Sequence, residues 1–126
     1  MSATEVLKRL EQAITSHDLD GMVDCYTEDY RSDLPLHPQR SFVGRENVRR
    51  TWTGLFEHVP DLVAEVLRSV ENGDELWSEW EIRGTTRDGQ RFLTRGVVIL
   101  WVDGTRITST RFYLDNVDPE NPDTTS

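Results

Sequence analysis

Three tight-turn dipeptides, Asn72-Gly73, Asp88-Gly89 and Asp103-Gly104, divide residues 62–115 into four runs of similar length, and no other feature of the chain constrains its fold as much. Asn-Gly and Asp-Gly supply the positive backbone φ that short hairpin turns require, and the runs between them are rich in Val, Ile, Thr, Trp, Phe and Tyr. They predict one antiparallel meander of four long strands. Strands of roughly ten residues exceed the usual ~5–6, and a long twisted sheet curls unless its concave side is filled. The chain before Leu62 must supply that filling.

That half reads as three helices and a loop. Ser2 and Glu5 match a capping box, and Val6, Leu7, Leu10, Ala13 and Ile14 follow at helical spacing, so the first helix runs to about Ser16. Asp18 caps a short second helix whose apolar face is Leu19, Met22, Val23 and Tyr26, with Cys25 as a small packing residue. From Thr27 to Val43 periodicity fails, and Pro35 and Pro38 bar a continuous helix or central strand, leaving a loop with a short extended piece. Val48, Trp52, Leu55, Phe56 and Val59 then form one helical stripe that ends at Pro60.

In the meander, Ser78, Trp80, Ile82 and Gly84 are expected to face inward, and Trp77, Glu79, Glu81 and Arg83 outward. Leu93, Arg95, Val97, Ile99 and Trp101 share one face of the third strand, and Thr108, Thr110, Phe112 and Leu114 one face of the fourth. Alternation places Arg95 and Val97 in the same interior as Trp80. Both faces of these strands carry apolar groups, so the convex side, with Trp77, Arg111 and Tyr113, is expected to be covered by a second subunit in a homodimer.

Composition narrows the function classes. With 126 residues, 36% of them hydrophobic and four Trp, the chain can build one sizeable core: a single domain over 1–117 and a polar, proline-containing tail over 118–126 expected to be disordered. Lys and Arg number 14 against 23 Asp and Glu, and the net charge of −9 repels phosphate backbones and anionic membranes. Neither nucleic acid nor a membrane is an expected partner. A single cysteine permits no internal disulfide or zinc-thiolate cluster, and His17, His37 and His58 have no ligand-like spacing, so no metal or cofactor is expected. The N-terminal MSATEVLKRLEQ lacks an apolar signal core and no segment has the ~18 apolar residues of a membrane span, which makes a cytoplasmic location the expectation. Glycine-rich phosphate loops, G-x-S-x-G elbows and H-E-x-x-H motifs are all missing.

Four segments, SHDLDGMVDCYTEDY, FVGRENVRRTWTGLFEHVPDL, ELWSEWEIRGTTRDGQ and RGVVILWVDGTRITSTRFYLDN, taken in order, resemble the nuclear transport factor two-like superfamily and its SnoaL-like branch over about residues 5–117. The resemblance implies an α+β cone: a curved antiparallel sheet, the four-strand meander plus a possible short strand, packed on three N-terminal helices around a pocket. Families of this type include polyketide cyclases, ketosteroid isomerases, limonene-type epoxide hydrolases and non-catalytic binding or dimerisation domains, so the fold alone does not choose a function. The cyclases and epoxide hydrolases carry a catalytic Asp on the last strand where this chain has Phe112. The isomerases need a Tyr where it has Leu10 and an Asp where it has Val97. Within DLPLHP, Asp33 resembles the loop position of the isomerase base.

The candidate site therefore comprises Asp33 as a general base if burial raises its pKa, His37 as a second acid–base group at the pocket mouth, and Arg95 as a buried cation satisfied by Asp33 or by an anionic ligand. Trp52, Phe56, Trp80, Val97 and Phe112 are the expected walls. Asp115, in YLDN, is expected to fix the strand end by hydrogen bonding. Three functions remain open: a pocket for a small, largely apolar ligand, a cofactor-free isomerase, cyclase or hydrolase using Asp33, or a dimerisation module with a filled core.

Overall fold

A computed structural model describes residues 1–118, so the tail expected to be disordered lies, after Asp118, outside the described residues. Its first element, α1 (Ala3–Thr15), starts as the capping box predicts, with the Ser2 hydroxyl accepting from the Glu5 N–H at 3.2 Å. Val6, Leu7, Leu10, Ala13 and Ile14 are all buried. His17 turns the chain with a left-handed φ of 56°, and Asp18 then caps α2 (Leu19–Asp24) by accepting from the Gly21 N–H. Cys25 follows as the C-cap, fully buried, and burial pushes its thiol pKa up. It is a packing residue.

The chain next departs from expectation. Tyr26 does not continue the apolar face of α2 but opens β1 (Tyr26–Asp33), an eight-residue strand where a loop was expected. It pairs parallel with the last strand and antiparallel with the two-residue β2 (Phe42–Val43), with a 3-10 turn (Pro38–Arg40) between them. Two physical causes hide this strand in the sequence. Its main partner is some 80 residues away, and its register shifts between Tyr26 and Arg31, which breaks the alternation that marks a strand. Pro35 and Pro38 lie beyond its end.

After α3 (Glu46–His58) come the four meander strands, β3 (Val63–Asn72), β4 (Glu75–Thr85), β5 (Arg91–Asp103) and β6 (Arg106–Asn116). The sheet has six strands in the order β2-β1-β6-β5-β4-β3 and is mixed, because β1 runs parallel to β6. Its concave side, with Leu76, Trp80, Ile82, Val98, Leu100 and Ile107, forms one buried core together with the apolar face of α1. Along the β3 edge α1 also covers open backbone groups: the Glu11 carboxylate accepts from the Val66 N–H at 2.6 Å, and the Thr15 hydroxyl donates to the Ala64 carbonyl.

The β4–β5 register decides which residues face inward. Ser78, Trp80 and Ile82 do so as expected, but Trp80 stands opposite Gly96, and Arg95 stands opposite Glu81. Arg95 and Val97 therefore belong to the convex face, a correction to the expected interior set. Since both faces of β5 are apolar in composition, its sequence alone does not distinguish them, and a one-residue shift exchanges every side chain. On the convex face Arg95 Nε lies 2.8 Å from Glu81 Oε1, Arg83 bridges Glu81 and Glu65, and Arg68 meets Glu79.

Candidate functional site

The deep end of the cone is filled. Leu10, Ile14, Trp80, Val98 and Leu100 enclose a void of only about 30 Å³, and the Trp80 indole N–H is satisfied by the Ser78 hydroxyl at 2.9 Å. Toward the open end the walls diverge into a cleft of about 580 Å³. The two regions share Trp52 from α3 and Phe112 and Leu114 from β6, and the wider one adds Leu55 and Phe92. This volume falls within the ~300–1,000 Å³ usual for small-molecule sites.

Its polar groups come from several elements. Tyr30 and Ser32 of β1 are almost completely buried, and the Tyr30 phenol is hydrogen-bonded to the Thr110 hydroxyl of β6. Burial drives the Tyr30 pKa far above the ordinary tyrosine range, outweighing the hydrogen bond to Thr110, and Tyr26 beside it is raised by the same cause. Both phenols are neutral donor–acceptors at any physiological pH. At the mouth stand Arg40 of the 3-10 turn, Asp115 and Asn116 at the end of β6, and Thr94 of β5, whose hydroxyl bonds the Asn116 side-chain oxygen at 3.1 Å.

The expected site residues do not converge. On β1, Ser32 is the inward residue, and Asp33 stands opposite Arg111 on the other face with its carboxylate 3.1 Å from Arg31. Asp33 and Arg95 therefore do not share an interior, and Arg95 is held by Glu81 rather than by Asp33. Phe56 stacks on His17 with ring centroids 4.2 Å apart and does not line the cleft, whereas Trp52 and Phe112 do. Trp80 lines only the filled inner end, and Val97 is outside. His37 is beside the mouth: its Nε2 lies 3.5 Å from Asp115 Oδ2, and that nitrogen is buried without a hydrogen bond.

Tyr30, Ser32 and Leu34 are among the residues that sequence reasoning missed, as are Arg40, Phe92 and Leu114. A signal for the first three exists, since Tyr30, Ser32 and Leu34 alternate with Asp29, Arg31 and Asp33, but the run is only six residues long and abuts a proline. Among the described residues there is no group of three or more His, Cys, Asp or Glu side chains placed to hold a metal ion. No described helix is long and apolar enough to cross a membrane.

The sequence profile of the SnoaL-like domain matches residues 7–110, and the chain belongs to that family. Solved structures share its fold at low identity. Wild-type IdmH of Streptomyces antibioticus, whose proposed activity is polyketide cyclisation, superposes with a TM-score of 0.80 at 22% identity over 91% of this chain and 93% of its own. A proposed SnoaL-like polyketide cyclase of Jannaschia sp. CCS1 gives 0.76 at 20% identity, covering 90% and 85%. A protein of Catenulispora acidiphila with a ketosteroid isomerase-like fold, solved with trimethylamine, gives 0.76 at 16%, covering 86% and 85%. A search of curated protein sequences returned no match.

Proposed function

We propose that this SnoaL-like protein binds a small, largely apolar ligand in the cleft between α3, β1 and the open end of β5 and β6. The observation that carries this reading is the contrast between a filled inner cone and an open cleft of about 580 Å³ with aromatic walls. A dimerisation module with a filled core has no use for that space. The hydroxyls of Tyr30 and Ser32 are uncharged, so they suit a neutral oxygen at the ligand's inner end, while Trp52, Phe112 and Leu114 take the apolar body. Native mass spectrometry of the purified protein, followed by identification of any released small molecule, tests the reading. Spectra showing only the bare chain, together with no uptake of apolar probes, would refute it.

A cofactor-free isomerase, cyclase or hydrolase is the second reading, and one contact favours it. Asp33 has the wrong orientation for a base, but Asp115 lines the mouth with His37 at 3.5 Å, an acid–base pair beside any bound ligand. The position of the family's last-strand acid is Phe112, which cannot transfer a proton. On this reading limonene oxide and a Δ5-ketosteroid should stay near background, and any turnover of the true substrate should vanish in Asp115→Asn but survive in Asp33→Asn. Turnover lost in Asp33→Asn alone would reverse the assignment.

We further propose a cytoplasmic homodimer formed through the convex sheet face. Supporting it, Val70, Trp77 and Ile99 lie opposite one another across three strands, with Val97 and Tyr113 in the next row, and Trp77 is 49% exposed.

A further inference from the structure

Taking the cleft as the ligand site proposed above, we propose that its mouth selects organic anions, ligands with an apolar body and a carboxylate or sulfonate head held by Arg40. Arg40 is the one cationic side chain among the described residues lining the cleft. Three arginines on the surrounding elements are engaged: Arg31 with Asp33, Arg45 with Glu28, and Arg49 with Asp20 and Glu46. Arg40 has no carboxylate within 4.0 Å among the described residues. A guanidinium offers five N–H donors in a planar fork that fits a carboxylate or sulfonate edge, and among the described residues no side chain or carbonyl takes that fork up.

The backbone that carries Arg40 is fixed. Pro38 begins the 3-10 turn, the Arg40 N–H bonds the His37 carbonyl at 2.9 Å, and the Ser41 hydroxyl accepts from the Leu34 N–H at 2.9 Å. Asp115, on the same mouth, is the one acid that could oppose an anion there. Its Oδ1 accepts from the Asn116 N–H at 2.8 Å and its Oδ2 faces His37 Nε2 at 3.5 Å, so both oxygens are directed at protein groups rather than at Arg40.

The polarity of the cleft sets the orientation. Its inner end offers hydroxyls and aromatic walls but no cation, and an anion buried there would lose hydration without compensation. The head group must therefore stay at the mouth while the apolar body points inward. Elsewhere the chain's net charge of −9 disfavours anions, so a preference for them has to be local to Arg40.

Two fluorescent probes separate this inference from the reading it rests on. 1-Anilinonaphthalene-8-sulfonate and N-phenyl-1-naphthylamine share their rings and differ by the sulfonate. In titrations of the full chain, Arg40→Gln should weaken the sulfonate probe about 5-fold, the upper range for a solvent-exposed ion pair, while leaving the neutral probe unchanged. Arg40→Lys should recover most of the loss. Thr51→Trp, an exposed position on the cleft wall, should weaken both probes by narrowing the cleft. Sulfonate binding that responds to Thr51→Trp but not to Arg40→Gln would overturn the anion site and leave the cleft standing. Failure of both probes to bind the wild type, or indifference of both to Thr51→Trp, would remove the cleft reading and this inference with it.

Discussion

Gly96 is the residue on which the inward face of β5 depends. It lies opposite Trp80 on one side and Leu114 on the other, with φ of 153°, and a Cβ built there would sit 2.0 Å from the Tyr113 carbonyl oxygen. Since that obstacle is backbone, no side chain can move aside. Gly96→Ala is expected to destabilise the protein by more than about 2 kcal/mol in urea unfolding, where a neutral surface change stays within about 0.5 kcal/mol. Tyr30 makes the complementary case. Removing its hydroxyl in Tyr30→Phe keeps the ring but leaves the buried Thr110 hydroxyl without its partner, at an expected cost of about 1–3 kcal/mol. The double variant Tyr30→Phe, Thr110→Val should recover part of that loss, and a cycle with no coupling would show the bond to be energetically idle.

At the scale of elements, the ladder between β4 and β5 ties the convex face together through Glu81. Its carboxylate accepts from Arg95 and from Arg83, and the hydrogen bond from Arg95 is the main cause that holds its pKa below the ordinary glutamate value. A carboxylate with a depressed folded-state pKa stabilises the fold above its unfolded pKa of ~4.3, and that contribution is lost as pH falls through the lower folded value. Glu81→Gln should therefore reduce Tm near neutral pH and make it less sensitive to pH below about 4.5. Parallel Tm-versus-pH curves for wild type and variant would show that the pair does not contribute. The same ladder explains how far the site was legible. Alternation identified the inward face of β4 because one face is charged, and it failed on β5 because both faces are apolar. Arg95 looked costly to bury, and the structure avoids that cost by pointing it outward to Glu81.

For the whole molecule, the convex face leaves large apolar side chains in water. Trp77, Val70 and Tyr113 are large and exposed there, while the surrounding acids and arginines are mostly paired within the chain. A second copy related by two-fold symmetry would remove the apolar rows from water. Sedimentation at micromolar concentration is expected to show a dimer of the 14.6 kDa chain, and Trp77→Asp to shift it toward monomer; a wild type that sediments only as monomer contradicts the proposed interface. The sequence by itself determined the three helices, the Ser2 and Asp18 caps and the four-strand meander, because helical periodicity, N-cap chemistry and Asn-Gly or Asp-Gly turns act over a few residues. Only the tertiary structure decided that β1 joins β6 in parallel, that Ser32 rather than Asp33 faces the cleft, and that Arg95 and Val97 lie outside. These outcomes depend on the register between strands distant in sequence, and register is set by the packing of the whole sheet rather than by any short run of residues.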